Sequence, residues 1–317
     1  MSEKHYLKNE LYNLLSSNSD IFDFLQHGSL DGLWYWDLEN PDNEWMNSRF
    51  WELLGFDPNE KKHLAKEWQD LIHPDDLKKA IDNFNKHCEN PKHPYDQIVR
   101  YRHKEGKTVW VRCRGIAIRN KEGKPIRMLG AHNDLTEQKE LEEKLHILAT
   151  TDELTGLANR RAFNDHLEWS IKNANRKNEF FSILLFDIDH FKNINDTYGH
   201  QKGDDVLRSL GKIIKESFRQ NDFPSRYGGE EFIIILHETD MDQSIKLAGK
   251  IRENSSQIMV NDTQVTVSIG ISTFIPAKEK TAENTFDFLI TCADKAMYYA
   301  KSNGRNQVVH YSNLKGK

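Results

Sequence analysis

Cysteine is scarce: Cys88, Cys113 and Cys292 are the only three in 317 residues, widely spaced and without a CxxC pair. An odd, scattered set excludes a disulfide framework and the usual structural zinc sites, and it fits a reducing compartment. Charge of one sign is lacking too. With 44 basic against 49 acidic residues the net charge is −5, so no basic field advertises nucleic acid or a membrane surface. No apolar run approaches the ~18 residues of a membrane span. The first twenty residues carry charges throughout and lack the apolar core of a signal peptide. These absences predict a cytoplasmic protein with neither nucleic acid nor membrane as partner.

What is present is ordinary globular composition, 37% apolar and 29% charged, over a length that suits about two domains. The character of the sequence changes near residue 137. The aromatic-rich stretch Gly32 to Phe56 comes first, followed by a helix beginning at His73-Pro74. Three strand-like runs then start at Tyr95, Thr108 and Pro125. Val109, Val111, Cys113, Gly115 and Ala117 alternate with larger or polar residues, as a strand with one buried face requires. The repeated tetrapeptides Lys104-Glu105-Gly106-Lys107 and Lys121-Glu122-Gly123-Lys124 read as hairpin turns. Leu135, Leu141, Leu145 and Leu148 then form a stripe among Glu and Lys. That stripe suits either a two-helix seam or a rigid linker helix docked on its own chain. Beyond Thr151 helices and strands alternate, in an α/β or α+β pattern. The expected division is a helical segment 1–18, a first domain 19–137, a linker helix 138–150 and a second domain 151–317.

Two acidic pairs in the second domain stand at comparable places. Asp187 and Asp189 end the apolar strand "SILLF"; Glu230 and Glu231 open the strand "FIIIL". If those strands pair, the carboxylates meet at one sheet edge. Hard oxygen donors without His or Cys suit Mg²⁺, which keeps waters and is completed by substrate phosphates, so a nucleoside triphosphate is expected. Main-chain amides at 190–192, with the Lys192 ammonium, can cradle phosphate. Asn195 and Asp204 offer an amide and a carboxylate to a purine edge, and Lys301 and Arg305 offer cations to phosphate. Taken singly, each has a plainer reading: strand-end turn residues, a Gly-Gly hairpin, solvated helix charges. Their joint occurrence favours a site.

At these residues the sequence resembles the GGDEF family of diguanylate cyclases, through "DELTGLANRR", "FDIDHFKNINDTYGHQKGDD" and "GGEEF" over Thr151 to about Tyr311. The resemblance implies an α+β fold with a central, mostly antiparallel sheet flanked by helices. It also implies that two GTP molecules, one on each subunit of a homodimer, condense to cyclic di-GMP and two pyrophosphates. By the same resemblance Asp187, Glu231 and the Ile188 carbonyl hold Mg²⁺ (or Mn²⁺), and Glu230 is catalytic beside the metal and the reacting hydroxyl. Phe191 and Lys192 form the phosphate cradle, Asn195 and Asp204 read guanine, and Gly228 and Gly229 let the nucleotide approach. Lys301 and Arg305 bind the triphosphate. Arg219 and Asp222, in "RQND", match an inhibitory site for the product, against the plainer reading of Asp222 as a turn residue before Pro224. A catalytically silent receptor for GTP or cyclic di-GMP is the competing function, and the intact acidic residues speak against it.

Residues 19–137 resemble a PAS sensor domain, an antiparallel sheet with short helices, and "GAHNDLTEQKELEEKL" resembles its exit into a signalling helix. The PAS ligand is not identified by the sequence. Ser48 stands where a cysteinyl flavin adduct needs Cys, so light sensing of that kind is not expected. His87 reads as a solvated helix-end residue in preference to a haem ligand. The tryptophans Trp34, Trp36, Trp45, Trp51, Trp68 and Trp110 read as core in preference to a cofactor cage.

Overall fold

The computed structural model describes residues 10, 13, 15–20, 22–23, 30–276 and 286–314. Most of segment 1–18, expected as helical, lies outside the described residues. The chain divides into two compact units, 1–143 and 144–317. Among the described residues no helix is long and apolar enough to cross a membrane.

The first unit opens with β1 (Gly32–Asp37), β2 (Glu44–Met46), α1 (Ser48–Leu53), α2 (Ala65–Gln69) and α3 (Pro74–Glu89). It closes with the meander β3 (Tyr95–Arg102), β4 (Thr108–Arg119) and β5 (Pro125–Asp134). The sheet order is β2-β1-β5-β4-β3, every pair antiparallel. Both expected hairpin turns place their glycine at positive φ, Gly106 at 87° and Gly123 at 83°, which a side chain would strain. The "HPDD" stretch starts α3 with Pro74 in its first turn. The buried Asp76 then takes a two-pronged guanidinium contact from Arg100 on β3, at 2.8 and 2.9 Å. That hydrogen bonding and charge hold the Asp76 carboxyl below its ordinary range. At the end of β5 the Asp134 carboxylate accepts from the Thr136 amide, and Thr136 Oγ1 accepts from the Trp110 amide. These two bonds start α4 (Thr136–Thr150).

Two readings of this unit need correction. His87 is neither solvated nor available to haem: it is 5% exposed. Its Nδ1 meets the His93 carbonyl and its Nε2 accepts from the Ala117 amide, so the end of α3 is tied to the loop before β3 through one ring nitrogen and to β4 through the other. Trp34 and Trp51 are core, but Trp45 is 42% exposed, because β2 alternates and turns that residue away from the buried side.

The second unit contains α5 (Arg160–Lys177), β6 (Phe181–Ile188), α6 (Phe191–Tyr198), α7 (His200–Ser217), β7 (Phe223–Gly228) and β8 (Glu231–His237). Then follow α8 (Met241–Ser255), the short pair β9 (Met259–Val260) and β10 (Thr263–Gln264), β11 (Val267–Phe274), α9 (Phe286–Ser302) and β12 (Val308–His310). The main sheet runs β12-β11-β6-β8-β7, with only β11–β12 parallel. Strand β6 is buried at all eight positions because helices cover both faces. Leu184 and Phe186 join α7 and α8 in one core layer; Ile183 and Leu185 join α5 and α9 in the other. Gly270 on β11 permits the closest approach of α9: a Cβ there would lie 2.0 Å from the Ala293 carbonyl oxygen.

Candidate active site

The acidic residues assemble at one end of the interior strands, where β6 stops and β8 begins; this rim is the edge that forms the site. In the β6–β8 register Asp187 lies directly opposite Glu231, and across the β7–β8 hairpin Glu231 lies opposite Gly228. The register shifts between Arg226 and Gly228, which ends the strand in a turn with Gly229 at φ 49°. A Cβ on Gly228 or Gly229 would meet nothing within 4 Å. Packing requires neither glycine, though the left-handed φ of Gly229 favours one there; together they leave the backbone open to an approaching group. Ile188 follows Asp187 at the end of β6 with its side chain in the core, so only its main chain is available to the edge.

Asp187 is 6% exposed, and its Oδ2 is 2.8 Å from the Lys301 ammonium. Burial pushes the Asp187 carboxyl up to about 6; Lys301 opposes the rise, and the charges of Glu230 and Glu231 add to it. Glu231 is also raised, first by burial, with Lys301 opposing. The edge therefore holds more negative charge than one lysine neutralises, the condition under which a cation is held. Among the described residues no three acidic, His or Cys side chains converge into a metal cluster. The side-chain donors brought face to face are two, Asp187 and Glu231. An ion there would draw its remaining ligands from the main chain, water and phosphate, which suits a hard divalent cation.

The other expected residues divide by location. Phe191 buries its ring in the core, leaving only its main chain for a ligand. Lys192 is exposed beside it. His190 takes the left-handed conformation (φ 59°) at the start of α6, and the first amides of that helix have no carbonyl partner within it. Asn195 on α6 packs against α7 at Gly203, where a Cβ would lie 2.0 Å from Asn195 Oδ1, and Asp204 is the next residue of α7. Arg305 is exposed in the turn after α9, at φ 60°. Arg219 and Asp222 lie apart from this edge, before the other end of β7. Asp222 folds their turn: its Oδ2 accepts from the Arg219 amide at 3.0 Å, and burial raises its pKa. The Arg219 side chain is exposed.

Asp189, expected among the converging acids, instead supports the fold, and two further supporting residues, Arg226 and Asp152, escaped sequence reasoning. Asp189 accepts from Thr266 Oγ1 (2.8 Å), Ser268 Oγ (2.7 Å) and the Asn306 amide (3.0 Å). It ties the end of β6 to the Arg305 turn and is fully occupied in doing so. Arg226 donates to the Gly229 carbonyl at 2.7 and 3.0 Å and pairs with Asp152 at 3.1 Å. Asp152, held below its ordinary pKa by hydrogen bonds from Thr155 and by Arg226, thus braces the glycine turn from the "DELTG" segment. Only motif spacing could have signalled these two roles.

Comparison with known proteins bears on the family and the fold. Residues 149–307 match the family described as diguanylate cyclase, GGDEF domain, and residues 43–132 match the PAS fold. The diguanylate cyclase DgcM of Escherichia coli K12 is 39% identical over 183 residues, 57% of this chain and 43% of DgcM. A diguanylate cyclase of Vibrio cholerae is 35% identical over 191 residues, 60% of this chain and 58% of that protein. This chain thus spans about half the length of these curated relatives. Among solved structures, the coiled coil and GGDEF domain of DgcB from Caulobacter crescentus in complex with c-di-GMP superposes with a TM-score of 0.52. It is 32% identical, and the match covers 56% of this chain and 93% of that one.

Proposed function

Because the chain belongs to the GGDEF family, we propose that it condenses two molecules of GTP into cyclic di-GMP, releasing two pyrophosphates, under control of its PAS unit. The observation that carries this reading is the Asp187–Glu231 pair at an open sheet edge, with Lys301 at 2.8 Å and two side-chain-free positions beside it. Family membership implies a divalent metal. Our reading is Mg²⁺ held by Asp187, Glu231 and the Ile188 carbonyl, where it would stabilise charge on the attacking and leaving oxygens.

The chain's own residues supply the rest. Asn195 and Asp204, neither side chain hydrogen-bonded within the described residues, read the guanine edge. The main chain at Phe191 and Lys192 receives the phosphates, and Lys301 and Arg305 neutralise the triphosphate. Glu230 stands beside the reacting ribose and takes the proton of its 3′-hydroxyl. The 3′-oxygen then bonds to the α-phosphorus of the facing GTP as the bond to pyrophosphate breaks. Each GTP acts once as nucleophile and once as electrophile, so one chain provides half a site and a homodimer is required. The exposed leucines of α4, Leu141, Leu145 and Leu148, are the seam we assign to that dimer. Residues 19–137 are then the sensor, 138–150 the signalling helix and 151–317 the cyclase. Arg219 and Asp222 form the product-inhibition site, and the reaction takes place in the cytoplasm.

The test is incubation of the purified chain with GTP and Mg²⁺, with nucleotides resolved by chromatography and pyrophosphate counted. Two pyrophosphates per cyclic di-GMP are expected. If residues 138–317 fused to a dimerising helix bind GTP and still form no product, the cyclase reading fails and a receptor role replaces it.

A further inference from the structure

The PAS unit encloses a cavity of about 30 Å³, walled by Trp34, Trp36, Trp68, Tyr95 and Tyr101 and by the carboxyl group of Glu44. Glu44 opens the edge strand β2 and faces inward with Met46. It is 4% exposed. Its carboxyl has one hydrogen-bond partner among the described residues, Trp68 Nε1, which donates to Oε2 at 2.6 Å. Among the described residues no lysine, arginine or histidine forms an ion pair with it. A carboxylate among aromatic rings is poorly served, because the π faces are themselves electronegative. Burial accordingly pushes Glu44 up to about 8.

The other titratable groups of the wall offer no charge near neutral pH. Burial drives His132 down to about 3 and Cys113 up to about 12, and it raises the phenols of Tyr95 and Tyr101 well above their ordinary value. The wall thus contains aromatic faces, one potential negative charge and no positive one. Anions are excluded for want of a counter-charge. Haem and flavin are excluded by size, since the volume admits about two water-sized centres.

We propose that this cavity is a binding site for a small organic cation, a protonated amine of a few non-hydrogen atoms, with Glu44 as its counter-ion and the indole and phenol rings as its cage. The ammonium group satisfies the unpaired carboxylate oxygen, and its polarised methyl or methylene groups lie against the rings. Binding converts a neutral buried acid into an ion pair, so a proton leaves as the amine enters. Trp36 and Trp68 are only partly buried and place the cavity just beneath the surface. The inference stands apart from the cyclase reading, and its test does not use turnover.

The experiment is calorimetric titration of the full chain at pH 7 with methylammonium chloride, with tryptophan emission followed in parallel. Potassium chloride and methanol, the neutral analogue of equal size, serve as comparisons. Saturable binding of methylammonium alone is expected, and Glu44→Gln should weaken it roughly 10- to 100-fold, the loss of a charged hydrogen bond. If that variant does not fold, the wild type still decides. Repeating the titration in buffers of different protonation enthalpy should show about one proton released per amine bound, in line with the buried acid ionising. No saturable binding, equal binding of methanol or potassium, retained affinity in folded Glu44→Gln, or no proton release would each overturn the proposal.

Discussion

Glu44 in the PAS unit and Asp187 in the GGDEF unit are both carboxyl groups taken out of water, and their surroundings differ most in the partner each is given. Glu44 has an indole N–H and no cation; Asp187 has an ammonium at 2.8 Å. The first is pushed up to about 8 and the second only to about 6, although acidic neighbours surround the second. A closed aromatic box stores an acid in its neutral form. An open sheet edge keeps its acid close to ionisation, with a cation at hand to exchange for metal and phosphate. Burial alone does not set the charge state of a carboxyl; the partner does.

The largest effect expected from breaking this contrast is at the edge. Glu231→Ala should lower cyclic di-GMP formation by roughly 10²- to 10³-fold, the scale of losing one group that stabilises transition-state charge. Wild-type turnover in the folded variant would remove Glu231 from the site. Two glycines sharpen the point. Gly270→Ala should destabilise the GGDEF unit by at least about 1–3 kcal/mol, because its Cβ meets backbone. Gly228→Ala should change stability by less than about 1 kcal/mol while impairing GTP binding, since its Cβ meets only open space. Denaturation midpoints beside GTP titrations check both; a destabilised, fully active Gly228→Ala would reverse the assignment.

A smaller effect concerns pH. Glu44, raised from 4.5 to about 8 in the fold, holds a proton that the unfolded chain releases, so stability falls as pH rises through that window. His132, lowered from 6.5 to about 3, refuses a proton that the unfolded chain accepts, so stability falls as pH drops below 6.5. The two slopes cancel between 4.5 and 6.5. From 6.5 to 8 only Glu44 acts, at about 1.4 kcal/mol per pH unit at most. Tryptophan fluorescence during urea unfolding reads this unit selectively, because six of the seven tryptophans belong to it. A flat profile in the wild type, or an unchanged slope in Glu44→Gln, would contradict the burial argument. Smallest in stability is Arg219→Ala, within about 0.5 kcal/mol for an exposed side chain. It should nonetheless raise the plateau of accumulated product in a GTP time course, and an unchanged plateau would refute the inhibitory site.

Much of this was legible in the sequence because local chemistry announces it. Apolar runs flanked by acids gave β6 and β8, and pairing them placed Asp187 opposite Glu231. The KEGK turns fixed the meander. Contacts between distant segments were not legible. Nothing local says that Lys301 reaches Asp187, or that Asp189 is occupied by Thr266, Ser268 and Asn306. Glu44 between Asn43 and Trp45 resembles any surface acid, and only the three-residue strand β2 turns it inward. His87 looked solvated because its partners, His93 and Ala117, lie beyond the helix it ends.

Asp187 and Asp189 stand two positions apart, yet one accepts three donors within the fold and the other is left with a single exchangeable partner. An activity screen would score alanine at either position as dead and describe one broad hot spot. Calorimetry would separate them into a strut and a tool. The strut's loss should free the turn carrying Arg305 and lower the melting point, whereas the tool's loss should leave a sound protein with nothing to grip. Within three residues, this chain thus sets one residue type to two kinds of necessity.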